Sequence, residues 1–155
     1  MKVYVSINKE PIPGYLNLRQ TPSDIPSVNQ CEPANISYFV DDAECDELYV
    51  EGVLHHIHCE EVRNVLQHYV SKINHGGTLR ITDEDFASIC KAVVVGGITS
   101  EEGNKLLFGA GQNSYEFYLG SYSMRDIVGI LKEFGLRILK QRINGFQFVV
   151  EGYRD

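Results

Sequence analysis

A histidine-rich segment, residues 55–59 (HHIHC), holds the densest set of side chains in this sequence that could bind a metal or transfer a proton. Imidazole nitrogen and thiolate sulfur are ligands that zinc prefers. Adjacent residues rarely point at the same ion, and no fourth ligand follows at a spacing that zinc sites use. His68 and His75 would reach such a site only through folding. We therefore predict no metal site, and we expect the segment to connect a strand to a helix.

A second group of candidate residues is aromatic and lies late in the chain, at Tyr115, Phe117, Tyr118 and Tyr122. Aromatic side chains are enriched both in ligand pockets and in protein interfaces. Packing beneath a loop accounts for them equally well. The sequence leaves the three interpretations open.

The elements that must position these residues follow from hydrophobic periodicity. Apolar runs typical of strands lie at residues 3–7, 15–18, 36–40, 47–50, 78–82, 136–143 and 146–152. Helical patterns lie at residues 62–73, 86–94, 100–108 and 123–134. Prolines at 22, 26 and 33 predict a loop over residues 20–35. Alternation of strand, helix and strand argues for a parallel α/β sheet.

Two local signals are stronger than the rest. The helix at 62–73 has apolar residues at three- and four-residue spacing, and Asn74-His75-Gly76-Gly77 follows it as a stop signal. The dipeptide Asn144-Gly145 between two β-rich runs predicts a hairpin. The sheet should therefore end with an antiparallel strand.

Length and composition indicate a globular protein with one domain, residues 1–155. A chain of 155 residues can bury about two-thirds of its unfolded surface. A hydrophobic share of 43% excludes a disordered chain. No apolar run approaches the roughly 20 residues that a membrane span needs, and strand-like sequence follows Met1 and Lys2 directly, so we expect neither a membrane anchor nor a signal peptide.

The net charge of −7 is unevenly distributed. Between Arg19 and Arg63 there is no Lys or Arg, whereas ten Asp and Glu residues lie in that interval. Affinity for nucleic acid depends largely on neutralising phosphates, so we expect no direct nucleic-acid binding through this half. A solvated face accounts for the acids, and so does a surface for a cationic substrate or a basic partner.

The four cysteines indicate a reducing compartment. Cys31, Cys45, Cys59 and Cys90 form no C-x-x-C pair, so we expect free thiols and a cytoplasmic location rather than a disulfide framework. A homodimer is the default expectation for the oligomeric state, because two-fold dimers are the commonest soluble assemblies.

Four stretches resemble a compact subfamily of class I S-adenosylmethionine (SAM) methyltransferases. They are residues 13–18 (PGYLNL), 46–57 (DELYVEGVLHHI), 75–82 (HGGTLRIT) and 135–152, in the order that this family uses. The resemblance covers nearly the whole chain. It implies a single α/β domain with a mostly parallel, Rossmann-like sheet, closed by a C-terminal antiparallel β-hairpin.

The resemblance also implies sites for the cofactor and for catalysis. SAM would lie against the residues Ser6, Ile7, Asn8, Pro13, Arg19, Asp41 and Asp42. His56 stands at the family's histidine, His55 replaces an acid, and Glu51 and Asp85 flank the same end of the sheet. His56, Glu51 and Asp85 are therefore the implied catalytic residues, with capping or a solvated rim as the alternative for the two acids. The acceptor would be a small molecule or a protein.

The chain departs from the family at two points that hold the cofactor. The family's Gly-Cys-Gly falls on Ser6-Ile7-Asn8, although glycine lets the backbone turn tightly and approach SAM without a Cβ. The acid that accepts hydrogen bonds from the ribose is replaced by Arg19, which can only donate. Three explanations stay open: a methyltransferase with altered SAM binding, a non-catalytic module for binding or assembly, and a pocket adapted to another small anionic ligand.

Overall fold

A seven-stranded sheet organises the computed structural model, which describes residues 1–155. Its strands are β1 (Lys2–Ser6), β2 (Leu16–Arg19), β3 (Val28–Gln30), β4 (Cys45–Glu51), β5 (Ile73–Glu84), β6 (Leu136–Asn144) and β7 (Gln147–Arg154). The spatial order is β3-β2-β1-β4-β5-β7-β6. The pairs among β1 to β5 are parallel, and β7 runs antiparallel to both of its neighbours. The predicted fold class is confirmed.

Four α-helices connect these strands: α1 (Val62–Lys72), α2 (Phe86–Val94), α3 (Ser100–Phe108) and α4 (Met124–Glu133). α1 and α4 contact each other and pack on β4, β5, β6 and β7, whereas α2 packs with α3. Thr99 and Glu102 form a capping box at the start of α3, and Ser123 caps α4 by accepting from the Asp126 amide. No helix is both long enough and apolar enough to span a bilayer.

The two faces of the sheet are covered differently. Val5, Leu48 and Ile81 belong to the buried core between the sheet and its helices. Alternate positions on the same strands, such as Tyr4, point to the other face, because side chains alternate along a strand. The connection from β1 to β2 crosses that face, where Asn17 hydrogen-bonds both the amide and the carbonyl of Ile12. An extended loop thus stands where a helix usually connects parallel strands.

The predicted strand at residues 36–40 is wrong. Ile36 and Val40 are both buried, but Tyr38 between them is 90% exposed, and the amides of Phe39 and Val40 both donate to the Ile36 carbonyl. The segment is therefore a turn that buries Ile36 and Val40, four residues apart, and not a strand, in which every second residue would be buried. The third strand is instead Val28–Gln30, within the predicted loop. It has three residues and pairs only with β2, so it lacks the apolar alternation that identifies longer strands.

The C-terminal hairpin is confirmed, with a turn shifted by one residue. Asn144 pairs with Gln147, so Gly145 and Phe146 are the two central residues of the turn. Gly145 has a φ of 65°, which suits glycine at the first central position of a type II′ turn. The hairpin makes β7 the reversed strand and places β6 at the edge of the sheet.

Candidate functional site

A cleft opens at the carboxyl ends of β1, β4 and β5, where open α/β sheets bind their ligands. Its volume is about 220 Å³. It is lined by Ile7, Asn8, Lys9, Glu51, Gly52, His55, His56, Thr82, Asp83, Glu84, Tyr115, Glu116, Tyr118 and Gln147. Most of these side chains are polar. The cleft therefore contains four of the ten residues that the resemblance assigned to cofactor binding and catalysis, which are Ile7, Asn8, Glu51 and His56. It also contains His55, Tyr115 and Tyr118, which the sequence analysis named as further candidates.

The histidine segment reaches the cleft because the chain turns sharply after β4. Gly52 has a φ of 64°, a left-handed conformation that favours glycine, and a short 3₁₀ helix, Leu54–His56, follows. The Leu54 amide donates to Asp83 Oδ2 over 2.7 Å. Asp83, near the end of β5, thus fixes the backbone that carries both histidines.

His55 and Asp83 form the best-defined side-chain pair in the cleft. Asp83 Oδ1 lies 2.6 Å from His55 Nδ1 and also accepts from the Glu84 amide over 2.8 Å. The Asp83 side chain is 3% exposed and that of His55 is 13% exposed. Neither residue was among the predicted catalytic residues. Asp83 follows Leu79 and Ile81 on the buried face of β5, and an acid in such a series is a signal that the sequence offers, because a buried charge needs partners.

The His56 and Tyr118 rings both pack against the His55 ring and lie 5.4 Å from each other. The ring centroids lie 4.4 Å and 4.1 Å from that of His55, respectively. Burial, assisted by the neighbouring His55, lowers the pKa of His56 to about 4. Burial also raises the pKa of the Tyr118 phenol. His56 is therefore neutral at physiological pH, and it is a weak proton acceptor there.

Two glutamates give the cleft an acidic wall. Burial raises the pKa of Glu84 to about 7, and its Oε2 atom is buried without a hydrogen-bond partner. Glu51, the last residue of β4, accepts a hydrogen bond from the Tyr4 hydroxyl. Buried acids with a shifted pKa or without a hydrogen-bond partner are more frequent at functional sites than elsewhere. Glu84 was not among the predicted residues, and nothing local in the sequence separates it from its acidic neighbours.

The residues at the family's glycine positions keep an ordinary backbone. Ala43 is the only non-glycine residue with a positive φ, so neither Ser6 nor Asn8 occupies a conformation that requires glycine. Ser6 is 1% exposed, and its hydroxyl accepts from the Lys9 amide over 3.3 Å. Asn8 lies on the cleft wall. Glycine is therefore not needed here to let the backbone turn tightly. Its other role, to let a ligand approach the backbone without a Cβ in the way, is lost at Asn8.

Arg19, at the end of β2, is held by the backbone. Its guanidinium donates to the carbonyls of Thr21, Lys9 and Pro22 over 3.0, 3.4 and 2.5 Å. These bonds join the loops that follow β1 and β2. Arg19 does not line the cleft.

Four predicted site residues lie elsewhere. Pro13 is exposed in the connection between β1 and β2. Asp41 and Asp42 precede β4, at the end of the strand opposite the cleft, where Asp42 pairs with Lys72 Nζ at 2.8 Å. Asp85 is 3% exposed and caps α2 by accepting from the Ser88 amide at 2.9 Å, and it also accepts from the Met124 amide at 2.8 Å. The structure does not bring these residues to the cleft, and the capping role weighed for Asp85 is the one observed.

The loop at residues 109–121 closes one side of the cleft. The amides of Leu119 and Gly120 both donate to the His55 carbonyl, over 2.8 and 3.3 Å, and the Tyr122 hydroxyl donates to the Ile57 carbonyl. A second cavity of about 440 Å³ extends beneath this loop toward β2 and meets the first at His56 and Tyr115. Its other lining residues are Gln20, Thr21, Pro22, Ser114, Phe117 and Leu119.

No group of three or more His, Cys, Asp or Glu side chains is arranged to hold a metal ion. In the histidine segment, His55 faces Asp83, whereas His58 is exposed and accepts from the Glu60 amide. His55 and His58 therefore have different partners, within a segment that connects a strand to a helix.

Solved structures share this fold. A SAM-dependent methyltransferase from Mesorhizobium loti superposes with a TM-score of 0.61 at 11% identity, over 91% of this chain and 82% of that one. An O-methyltransferase family protein from Burkholderia thailandensis gives 0.59 at 18% identity, over 83% and 35% of the two chains. Magnesium protoporphyrin IX methyltransferase from Synechocystis PCC 6803, with bound SAH, gives 0.53 at 16% identity, over 83% and 51%.

These comparisons confirm the predicted resemblance to class I methyltransferases at the level of the fold. The chain spans about a third of the Burkholderia protein and about half of the Synechocystis one. No protein-family profile and no curated protein matches the sequence.

Proposed function

We propose that this chain is a SAM-dependent methyltransferase-like protein that takes its ligand into the acidic cleft above β1, β4 and β5. The observation that carries the proposal is the set of carboxylates, Glu51, Asp83 and Glu84, at the ligand-binding edge of a class I methyltransferase sheet. SAM, when bound, supplies a methyl group on a cationic sulfonium. Carboxylates in a partly buried site stabilise a cation more strongly than they would in water.

The second cavity would hold the nucleoside half of the same ligand. Tyr115 and Phe117 offer aromatic surface for a purine, because such cavities are lined mainly by apolar and aromatic groups. Gln20 follows Arg19 directly, and its side-chain carbonyl can accept a hydrogen bond, which Arg19 cannot. We assign to Gln20 the ribose contact that an acid makes in the family. The residues present therefore fit SAM, with its ribose held in an altered way.

The acceptor is a small molecule or a side chain that fits the first cavity of about 220 Å³. Acidic walls disfavour a phosphate backbone, because like charges repel at close range. Positioning of the acceptor against the electrophile would supply most of the lowering of the barrier.

A non-catalytic binding or assembly module is the second candidate. The observation that favours it is the environment of Arg19, whose guanidinium bonds three backbone carbonyls and leaves no acid at the end of β2. In this reading the fold is kept, and the residue at the family's ribose-binding position stabilises the loops instead. Fold alone does not distinguish the two candidates, because one fold serves many functions.

Thermal melting with and without SAM tests the first candidate. A ligand at a hundred times its dissociation constant adds about 2.7 kcal/mol to the free energy of unfolding, so we expect a clear rise in Tm at millimolar SAM. Glu51→Gln should reduce that rise, whereas Glu60→Gln, an exposed acid outside the cleft, should leave it unchanged. An unchanged Tm for the wild-type chain would contradict SAM binding and favour the non-catalytic module.

A further inference from the structure

The Asp83 carboxylate has every acceptor position in use. Oδ2 accepts from the amides of Leu54 and His55 over 2.7 and 3.4 Å, and Oδ1 accepts from the Glu84 amide over 2.8 Å. His55 Nδ1 lies 2.6 Å from the same Oδ1. An ionised carboxylate can only accept hydrogen bonds, so Nδ1 carries the ring proton and donates it to Asp83. The lone pair of neutral His55 is therefore on Nε2.

This arrangement separates the two ring nitrogens by function. Nδ1 is held by a carboxylate that is 3% exposed, whereas Nε2 has no hydrogen-bond partner within the chain. His55 lines the cleft, and the rings of His56 and Tyr118 pack against its ring in tilted contacts. A histidine whose tautomer and orientation are set by a buried carboxylate is the arrangement that general bases use.

We propose that His55 is the proton acceptor of this cleft, that Asp83 is its positioning residue, and that the substrate presents a hydroxyl group. Nε2 takes the proton of the substrate hydroxyl. The O–H bond breaks with its electron pair left on oxygen, an N–H bond forms from the Nε2 lone pair, and the Asp83 carboxylate stabilises the resulting imidazolium without taking a proton from it. The hydroxyl's role in methyl transfer rests on the proposed function, whereas the pairing of His55 with Asp83 does not.

His55 meets the requirements of this role better than His56. His56 is the histidine that the family resemblance names, but it makes no hydrogen bond to a carboxylate, and burial keeps it neutral far below physiological pH. A hydroxyl group suits the site for two reasons. Unlike a neutral amine, it must lose its proton to become a good nucleophile, and unlike a carboxylate, it is not repelled by Glu51 and Glu84.

The groups that face His55 come from three elements. Asp83 and Glu84 belong to the end of β5, His56 to its own segment, and Tyr118 to the loop at 109–121. Of these side chains, only Asp83 hydrogen-bonds the His55 ring. Removal of the Asp83 charge should therefore alter the His55 ring more than the other rings of the cleft.

Nitrogen-15 spectroscopy of the full chain at about pH 9, where an imidazole ring is neutral, tests the tautomer without any ligand. We expect His55 to show a pure Nδ1–H tautomer in the wild type, a mixture in Asp83→Asn, and no change in Glu51→Gln. The exposed His58, whose Nδ1 accepts from the Glu60 amide, serves as the internal reference for a ring with its proton on Nε2. A wild-type His55 with its proton on Nε2 would overturn the proposal, because the cleft would then contain no lone pair at that position.

Modification with diethyl pyrocarbonate, mapped by mass spectrometry, tests the reactivity of Nε2. We expect His55 to be acylated, and we expect about tenfold slower acylation in Asp83→Asn with His58 acylated at an unchanged rate. If His55 resists the reagent while His58 reacts, Nε2 is not available as a base and the inference fails. A further arm contains millimolar SAM. Protection of His55 supports the proposed function, and absence of protection counts against SAM binding while leaving the assignment of the base intact.

Discussion

Three consecutive acids at the end of β5 have three different roles. Asp83 is buried and fixes the histidine segment, Glu84 lines the cleft with an unpartnered Oε2, and Asp85 caps α2. Neighbouring residues of a strand point to opposite faces, so similar side chains meet different surroundings. The chemical type of a residue therefore says less about its role here than its register in the strand does.

Glu84 is expected to lower stability at alkaline pH. Its pKa is raised from 4.5 to about 7 in the folded chain, so the unfolded chain releases this proton at a lower pH. The stabilisation from the protonated side chain is fully present below pH 4.5 and is lost as pH rises through 7. Glu84→Gln should therefore be more stable than the wild type at pH 8 by about 1–2 kcal/mol, allowing for partial exposure, and should match it at pH 4.

Urea denaturation at the two pH values measures this difference. Glu60→Gln is the matched control, because Glu60 is exposed and should show no gain at either pH. An equal stability difference for Glu84→Gln at pH 4 and pH 8 would show that Glu84 ionises in the fold as it does in water.

At the scale of elements, the loop at 109–121 decides whether the site is closed. Gly109 begins it with a φ of 86°, and a Cβ placed there would lie 1.6 Å from the Glu116 carbonyl oxygen. The backbones at Gly109 and Glu116 thus approach each other so closely that any side chain at position 109 would clash. The Tyr118 amide donates to the Phe108 carbonyl over 3.1 Å, which holds the second half of the loop against the end of α3.

Gly109→Ala should open this loop without unfolding the domain. We expect a loss of about 1–3 kcal/mol, because alanine must adopt a left-handed conformation and displace the backbone of Glu116. Hydrogen exchange at the amides of Leu119 and Gly120, which bond the His55 carbonyl, should become about tenfold faster.

Gly129→Ala is the matched control for that substitution. Gly129 lies within α4, where an added Cβ meets no atom within 4 Å, so alanine should stabilise the chain by about 0.5–1 kcal/mol. Unchanged exchange at Leu119 in Gly109→Ala would show that the loop does not depend on the close approach at Gly109.

For the whole molecule, one hydrophobic core joins the sheet to the pair α1 and α4. Leu66 in α1, Ile127 in α4 and Phe148 in β7 are all fully buried within a single cluster. The Tyr69 hydroxyl donates to the Pro33 carbonyl over 2.6 Å, which connects the same core to the segment before β4. We therefore propose that residues 1–155 unfold as one domain.

Leu66→Ala should destabilise every element together. Removal of a fully buried leucine costs about 2–5 kcal/mol, and a two-state domain shows one transition by all probes. Far-ultraviolet and near-ultraviolet circular dichroism should give coincident unfolding curves for the wild type and for this variant. Asn64→Ala, at an exposed position of the same helix, should change stability by less than about 0.5 kcal/mol. Separate transitions would disprove a single cooperative domain.

Local patterns in the sequence determined much of this architecture. Periodicity located all four helices, but the predicted stop signal at residues 74–77 lies within β5, because α1 ends at Lys72 and the chain is already extended at Ile73. The Asn144-Gly145 dipeptide predicted the hairpin, and the four stretches that resemble class I methyltransferases predicted the fold. These features depend on residues a few positions apart, so the sequence alone contains the information.

The tertiary structure decided which candidates share a site. The spacing of residues 36–40 predicted a strand, but the packing of Ile36 and Val40 shows a turn. Asp41 and Asp42 were predicted to contact the cofactor, but they lie at the end of β4 opposite the cleft. The pairing of His55 with Asp83 joins residues 28 positions apart. Such contacts depend on the twist and stacking of whole strands, which no local pattern encodes.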